Sequence, residues 1–381
     1  MQRIRALAYG FFLRLLLQFH PKPRRNAPTV RVIYKPDAIG DFILSTGVIR
    51  QLVNREGPGW LLLCSPSVKP LAEACFPNLD IIAIPGTNIR TPCSSLHRIC
   101  LQYKICRQFH REDVICLKHS RTGLEQIFLH WLKQEGCYGS VRSPLSTTEP
   151  NALPDPISSR SVPYVHERAS LPLEVDTHRR VASSYLETPL SDEQVSPWLP
   201  PAPNSRSTSS TKKYLTVFPV TRNPLRNLPL ATMVKALDRF LYDHPELKLI
   251  LSGTKKEKAT LSALQQHLQH HADIEIRCPS SLLEVRDLIA ESLLILSMES
   301  APAHMSICLD RPGVFVIGGG HYEHFAPWGT SRHHIWVTHH MRCFGCNWHC
   351  IHKEAYCVSR VTHHQITDSL EIALRQGLSL G

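Results

Sequence analysis

The sequence predicts an α/β protein built from two doubly wound parallel sheets. Three observations carry that prediction. Short apolar runs of strand length alternate with helical stretches through both halves of the chain. A stretch rich in Pro, Ser and Thr, Ser191 to Lys213, divides the halves. In each half a strand-like run ends in a tight polar turn at a helix start, where sheets of this kind hold ligands.

The first half opens with Arg31-Val32-Ile33-Tyr34, a buried strand. It runs through Lys35-Pro36-Asp37-Ala38-Ile39-Gly40-Asp41 into a helix, Phe42 to Val53. Trp60 to Cys64, Ile81 to Ile84 and Val114 to Leu117 read as further strands. Helices fit Lys69 to Cys75, Ser95 to Gln108 and Val175 to Leu186, and Tyr138 to Val165 reads as loop. The second half restarts with the strand Tyr214 to Phe218. Helices at Leu230 to Tyr242, Lys255 to His270 and Ser281 to Ala290 alternate there with strands at Leu247 to Leu251 and Ile274 to Ile276. The strand Leu293 to Leu296 then leads through Ser297-Met298-Glu299-Ser300-Ala301-Pro302-Ala303-His304 to a helix opening at Met305. A last strand, Val314 to Ile317, ends in Gly318-Gly319-Gly320 and a loop with Pro327-Trp328-Gly329. The glycines are expected to let the backbone approach a ligand closely.

A length of 381 residues suits two domains of ordinary size. Hydrophobic content of 43% with 20% charged residues excludes a disordered or fibrous chain. A net charge of +11 points to an anionic partner, whether nucleic acid, anionic lipid or a phosphorylated substrate. Basic residues crowd the start: Arg3, Arg5, Arg14, Lys22, Arg24 and Arg25 all precede the first acid, Asp37. Between them lie Phe11, Phe12, Leu13, Leu15, Leu16, Leu17 and Phe19. That pattern suits a helix lying in an anionic membrane surface, or alternatively a helix packed on its own domain. Residues 1–28 are accordingly set apart as a basic amphipathic segment. Residues 29–190 and 214–381 are the two domains, and 191–213 the linker. An odd count of 13 cysteines, with no export signal, favours a reducing cytoplasm.

The strand followed by Asp37-Ala38-Ile39-Gly40-Asp41, the segment Glu299-Ser300-Ala301 to His304, and the loop closing in Pro327-Trp328-Gly329 together resemble the glycosyltransferase family that includes the bacterial lipopolysaccharide heptosyltransferases. The resemblance spans about residues 30 to 375, and only in rhythm over about 85 to 210. It implies the GT-B architecture, two Rossmann-like domains facing across a cleft. The N-terminal domain would take the acceptor and the C-terminal domain the nucleotide-sugar. It also implies an inverting, metal-independent transfer, with ADP-heptose the favoured donor and a glycolipid or oligosaccharide of the cell envelope as acceptor. The enzyme would then sit on the inner face of the cytoplasmic membrane.

Sugar transfer needs a base for the acceptor hydroxyl and a counter-charge for the departing diphosphate. Asp41 matches the family's base, and a plain first-turn acid is its other reading. Asp37 is the second candidate and could orient the acceptor. On the donor side the resemblance assigns Thr221 and Arg226, with Arg222 able to share the role, since arginine binds phosphate without a metal. Glu257 matches a ribose contact, or is an ordinary first-turn Glu. Glu299 stands where the family has Asp, Ser300 and Ala301 supply a turn for the diphosphate, and His304 matches the family His or is a core residue.

Cys343, Cys346, Cys350 and Cys357 follow a C-x2-C-x3-C-x6-C pattern with His339, His340, His349 and His352 nearby. Four thiolates could hold a structural zinc; reduced thiols, a disulfide and an iron–sulfur cluster are the alternatives. No cofactor is required by the transfer itself. Two further readings stand beside the enzyme. One is a family member that binds a nucleotide-sugar without transferring it, which Glu299 keeps open. The other is a nucleic-acid-binding protein, against which no recognised nucleic-acid motif appears.

Overall fold

Leucine- and β-branched runs with no polar alternation, such as Trp60–Cys64, form strands buried on both faces. This is what a parallel sheet covered by helices requires. The computed structural model describes residues 11–84, 92–118, 123–132, 136–140, 161–162, 173–203, 213–271, 273–329 and 331–379. The chain forms two units whose main division falls between Ser196 and Pro197; Glu174, from the earlier part of the chain, belongs to the second unit.

The first unit contains β1 (Thr29–Lys35), β2 (Trp60–Cys64), β3 (Asp80–Ala83), β4 (His110–Cys116), β5 (Gly136–Ser140) and β6 (Ser161–Val162). They pair in the order β3-β2-β1-β4-β5-β6, all parallel. The second contains β7 (Tyr214–Phe218), β8 (Lys248–Ser252), β9 (Ile274–Arg277), β10 (Leu294–Met298), β11 (Gly313–Val316) and β12 (His334–Val337). Its order, β12-β11-β10-β7-β8-β9, repeats the first within the unit. Both are therefore doubly wound sheets of Rossmann order. Each has one topological switch point, between β1 and β4 and between β7 and β10, where ligands bind beyond the strands' carboxyl ends.

One core in the first unit gathers Val32, Tyr34, Leu61, Leu63, Val114, Phe128 and Trp131. The second unit's core runs from Leu215 and Phe240 through Leu296 and Met298 to Ile366 and Leu370.

The expected helix Phe42 to Val53 is two helices, Ile39–Ile43 and Thr46–Glu56. Ser45 and Thr46 donate their hydroxyls back to the carbonyls of Phe42 and Ile43, at 2.7 and 2.8 Å, which breaks the run. The strand β6 and the last three residues of β5 fall within the region read as loop. Residues 141–160 of that region lie outside the described residues, as do 204–212 of the expected linker and 1–10 of the amphipathic segment. Residues 11–17 are helical. Leu13 is buried there, Phe12, Leu16 and Leu17 pack on the first core, and Trp131 donates its indole N–H to the Leu16 carbonyl. Phe11, Leu15 and Phe19 point to solvent. Among the described residues no helix is long and apolar enough to cross a membrane.

Candidate active site

Each switch point carries a cluster of charged side chains. In the first unit, Asp37 follows β1 and Lys118 follows β4. The Asp37 carboxylate lies 2.9 Å from Lys35 Nζ and 2.8 Å from Lys118 Nζ. Burial pushes this carboxyl up, but the two ammonium groups outweigh it and hold Asp37 below the usual carboxylate range. Lys118 also meets Glu125 at 3.3 Å, and its pKa is raised because the two acids more than offset its burial. The Lys35 side chain is wholly buried; its Nζ donates to the Leu117 carbonyl at 3.0 Å and stands 3.2 Å from His178 Nε2. Asp41 is the third residue of the helix Ile39–Ile43, in its first turn and half-buried.

In the second unit the loop after β7 meets the turn after β10. Arg226 ends a short 3-10 turn, Pro224–Arg226, and its guanidinium donates through Nη2 to both the backbone carbonyl and the carboxylate of Glu299. His321 Nδ1 is 2.9 Å from the same carboxylate, and His304 Nε2 is 3.6 Å from its other oxygen. Glu299 is only 5% exposed. Burial raises its pKa, but the hydrogen bonds from His304 and His321 and the charge of Arg226 win and hold the carboxyl well below its ordinary value. His304 is buried in the helix Ala301–Cys308, and its ring lies beside that of Trp328, nearly parallel at 16° with centroids 6.0 Å apart.

Ser300 caps that helix by position, yet its hydroxyl donates to the Met298 carbonyl at 3.0 Å instead of to the helix. Ala301 opens the first turn, where Pro302 removes one backbone donor. The Thr221 hydroxyl lies 2.8 Å from the Asn223 carbonyl and 2.9 Å from Asn227 Oδ1, so it holds its own loop. Arg222 is exposed. Glu257 completes a capping box with Thr254, whose N–H it accepts at 2.6 Å. The structure thus brings Arg226, Glu299 and His304 together and puts Thr221, Arg222 and Glu257 in supporting or solvent-facing positions.

The cysteine-rich loop is the surprise of this unit. Trp348 stands over the Arg226 guanidinium, 5.6 Å from ring centroid to Cζ, and edge-on to His321. Phe344 and Trp348 lie on Gly319 and Gly320. A Cβ at Gly320 would sit 2.8 Å from the Trp348 ring, and one at Gly319 would overlap Phe344. These glycines therefore admit the aromatic side chains of the cysteine loop, not a ligand, which corrects the sequence-based expectation. Cys343, Cys346, Cys350 and Cys357 are free thiols. Their sulfurs are not among the described groups whose ligand atoms converge within 4.8 Å. Burial pushes the Cys357 thiol up, and the three other thiols add to it. The donor set suits a thiophilic metal; its arrangement here is not closed around one.

Composition pointed to none of the aromatic contacts, and His321 carried no motif. The one signal was spacing: His321 follows the glycine run directly.

A family model described as glycosyltransferase family 9 (heptosyltransferase) matches residues 155–352, just over half of the chain. The chain belongs to glycosyltransferase family 9. No curated protein matches it. Among solved structures, this glycosyltransferase is similar to a family 9 glycosyl transferase from Veillonella parvula, with 14% identity, TM-score 0.63, and 91% and 97% of the two chains covered. It is also similar to the E. coli heptosyltransferase WaaC, solved with ADP-2-deoxy-2-fluoro heptose: 14% identity, TM-score 0.62, 90% and 99% covered. The iron-containing dodecameric glycosyltransferase TibC of enterotoxigenic E. coli matches at 12% identity and TM-score 0.54, over 95% of this chain and 78% of TibC. At such identities the likeness is one of fold: two units with parallel sheets, as in GT-B glycosyltransferases.

Proposed function

We propose that this enzyme transfers a sugar, heptose in the first instance, from a nucleotide-sugar to an envelope glycolipid or oligosaccharide of the lipopolysaccharide type, with inversion and without a catalytic metal. ADP-heptose is the favoured donor. The observation that carries the reading is the placement of Arg226, Glu299 and His304 at the second unit's switch point, within the region matched by the family model.

In the reaction the acceptor O–H gives its proton to the Asp41 carboxylate as its oxygen attacks the anomeric carbon. The bond from that carbon to the diphosphate breaks, and the electron pair leaves on the diphosphate oxygen. Arg226 supplies the counter-charge a metal would otherwise provide. Glu299 reads sugar hydroxyls from a fixed, ionised carboxylate, and Asp37 orients the acceptor. The stripe Phe11, Leu15 and Phe19, beside Arg14, supports contact with an anionic membrane surface. For the cysteine loop a structural metal, zinc or another thiophilic ion, fits the donors, with Cys343, Cys346, Cys350 and Cys357 as ligands. It would fix Trp348 over Arg226.

A second reading, donor binding without transfer, is favoured by one observation: the cation meant for the diphosphate is already paired to Glu299. Nucleotide affinity and metal-free donor hydrolysis should be measured over ADP-, UDP-, GDP- and CDP-sugars, then repeated with Asp41→Ala. A transferase loses turnover in the variant and keeps its nucleotide affinity. Unchanged turnover removes Asp41 as the base, and binding without turnover in the unmodified enzyme selects the second reading.

A further inference from the structure

The helix that carries His304 has a second polar cluster at its far end. Asp310 follows the helix Ala301–Cys308 with φ 51°, a left-handed residue that turns the chain toward β11. Its Oδ1 lies 2.9 Å from His333 Nε2 and 3.7 Å from His334 Nε2, and Ser331 donates its hydroxyl to the same oxygen at 2.9 Å. The carboxylate oxygen and the two imidazole nitrogens all lie within 4.8 Å of one another. Because β11 starts at Gly313, paired with His334 at the start of β12, the cluster sits at the amino ends of these strands. Arg226 and Glu299 lie past the carboxyl ends, so the transfer reaction makes no use of it.

Two observations set this cluster apart from a loop fastening. The His334 side chain is 2% exposed and its Nε2 has no hydrogen-bond partner. A buried polar atom left without a partner is costly, and a ligand on that nitrogen would relieve the cost. The second observation is spacing. Zinc held tetrahedrally with bonds of about 2.0–2.1 Å has ligand-to-ligand edges of about 3.3–3.4 Å. The two distances from Asp310 Oδ1, 2.9 and 3.7 Å, straddle that edge.

We propose that Asp310, His333 and His334 bind a divalent transition cation, with zinc the ion their donors fit best. Asp310 is 67% exposed in its side chain, which leaves an entry path and a fourth position for water. The bound ion would tie the end of the His304 helix to the start of β12. A second convergent group, Asp238, His270 and His271, lacks this character. Both of its imidazoles already bond to Asp238, and Asp238 and His270 are 48% and 57% exposed.

The test titrates the metal-stripped full chain, kept reduced, with zinc alone and reads the ligand shell by X-ray absorption. The expected result is a zinc bound by nitrogen and oxygen, separate from any zinc the cysteine loop holds through sulfur, lost in Asp310→Asn and His334→Gln and kept in Asp238→Asn. Asparagine tolerates the left-handed backbone, so Asp310→Asn removes the charge and leaves the turn. Its zinc affinity should fall ~100-fold or more, beyond the ~10–100-fold that loss of a supporting partner brings. Zinc should also raise the melting temperature of the unmodified chain and not that of Asp310→Asn. That readout decides the matter if His334→Gln fails to fold. Zinc held only by sulfur, or nitrogen- and oxygen-bound zinc that survives Asp310→Asn, overturns the proposal.

Discussion

Trp328 donates its indole N–H to His304 Nδ1 at 2.9 Å. An indole nitrogen only donates, so Nδ1 is the acceptor and the proton of the neutral imidazole sits on Nε2. That nitrogen faces Glu299 Oε1 at 3.6 Å. A tryptophan of the Pro-Trp-Gly loop thus selects the tautomer of a histidine on another element and points its proton at the acid.

Replacing that tryptophan, Trp328→Phe, keeps most of the ring volume and removes the donor. His304 is 2% exposed, so its Nδ1 would be left without a partner in the interior. Urea denaturation should show a loss of about 1–3 kcal/mol, and transfer activity should fall with it. An unchanged midpoint would mean that Trp328 serves only to fill space.

Glu299→Gln should remove a pH-dependent part of the enzyme's stability, in a defined direction. Glu299 has a folded pKa held well below its unfolded value, because hydrogen bonds from His304 and His321 and the Arg226 charge outweigh its burial. Its contribution is therefore full above the unfolded value of about 4.3 and is lost as pH falls through the lower folded value. At neutral pH the unmodified enzyme should exceed the variant by about 3 kcal/mol, since the variant strands Arg226. At a pH of about 2 the gap should narrow, read as converging denaturation midpoints. A constant gap across pH would contradict the ionised pair.

Gly319→Ala tests the correction made above. If the glycine exists to admit Phe344, the added methyl should cost about 1–3 kcal/mol by overpacking. The double variant Gly319→Ala with Phe344→Ala should recover part of that loss, measured as a thermodynamic cycle. Additive losses would return Gly319 to a role toward a ligand.

Much of the fold was legible because its strands are unbroken Leu, Ile and Val runs that stop at a polar turn. Trp60–Cys64 and Tyr214–Phe218 have the boundaries read from sequence. The unread strands lack that signature. Gly136–Ser140 carries two glycines, Ser161–Val162 is two residues long, and His334–Val337 starts with a histidine. In the site, Arg226 and Glu299 were visible because each lies in the turn after a legible strand, and His304 because it lies in the helix which the second of those turns opens. Lys118 on Asp37, and Trp348 on Arg226, were not. Each pairing joins residues remote in sequence and depends on which strands become neighbours and how a loop folds back. Spacing along the chain does not encode that.

The packing of Trp348 on Arg226 carries a practical consequence. Cys343, Cys346 and Cys350 are partly exposed and sit in the loop that presents this tryptophan. An alkylating reagent or a lapse in reductant would strike the thiols and move the indole, although neither Arg226 nor Glu299 has been altered. Such a preparation would lose the packing over Arg226, and its behaviour would drift with the age of the sample.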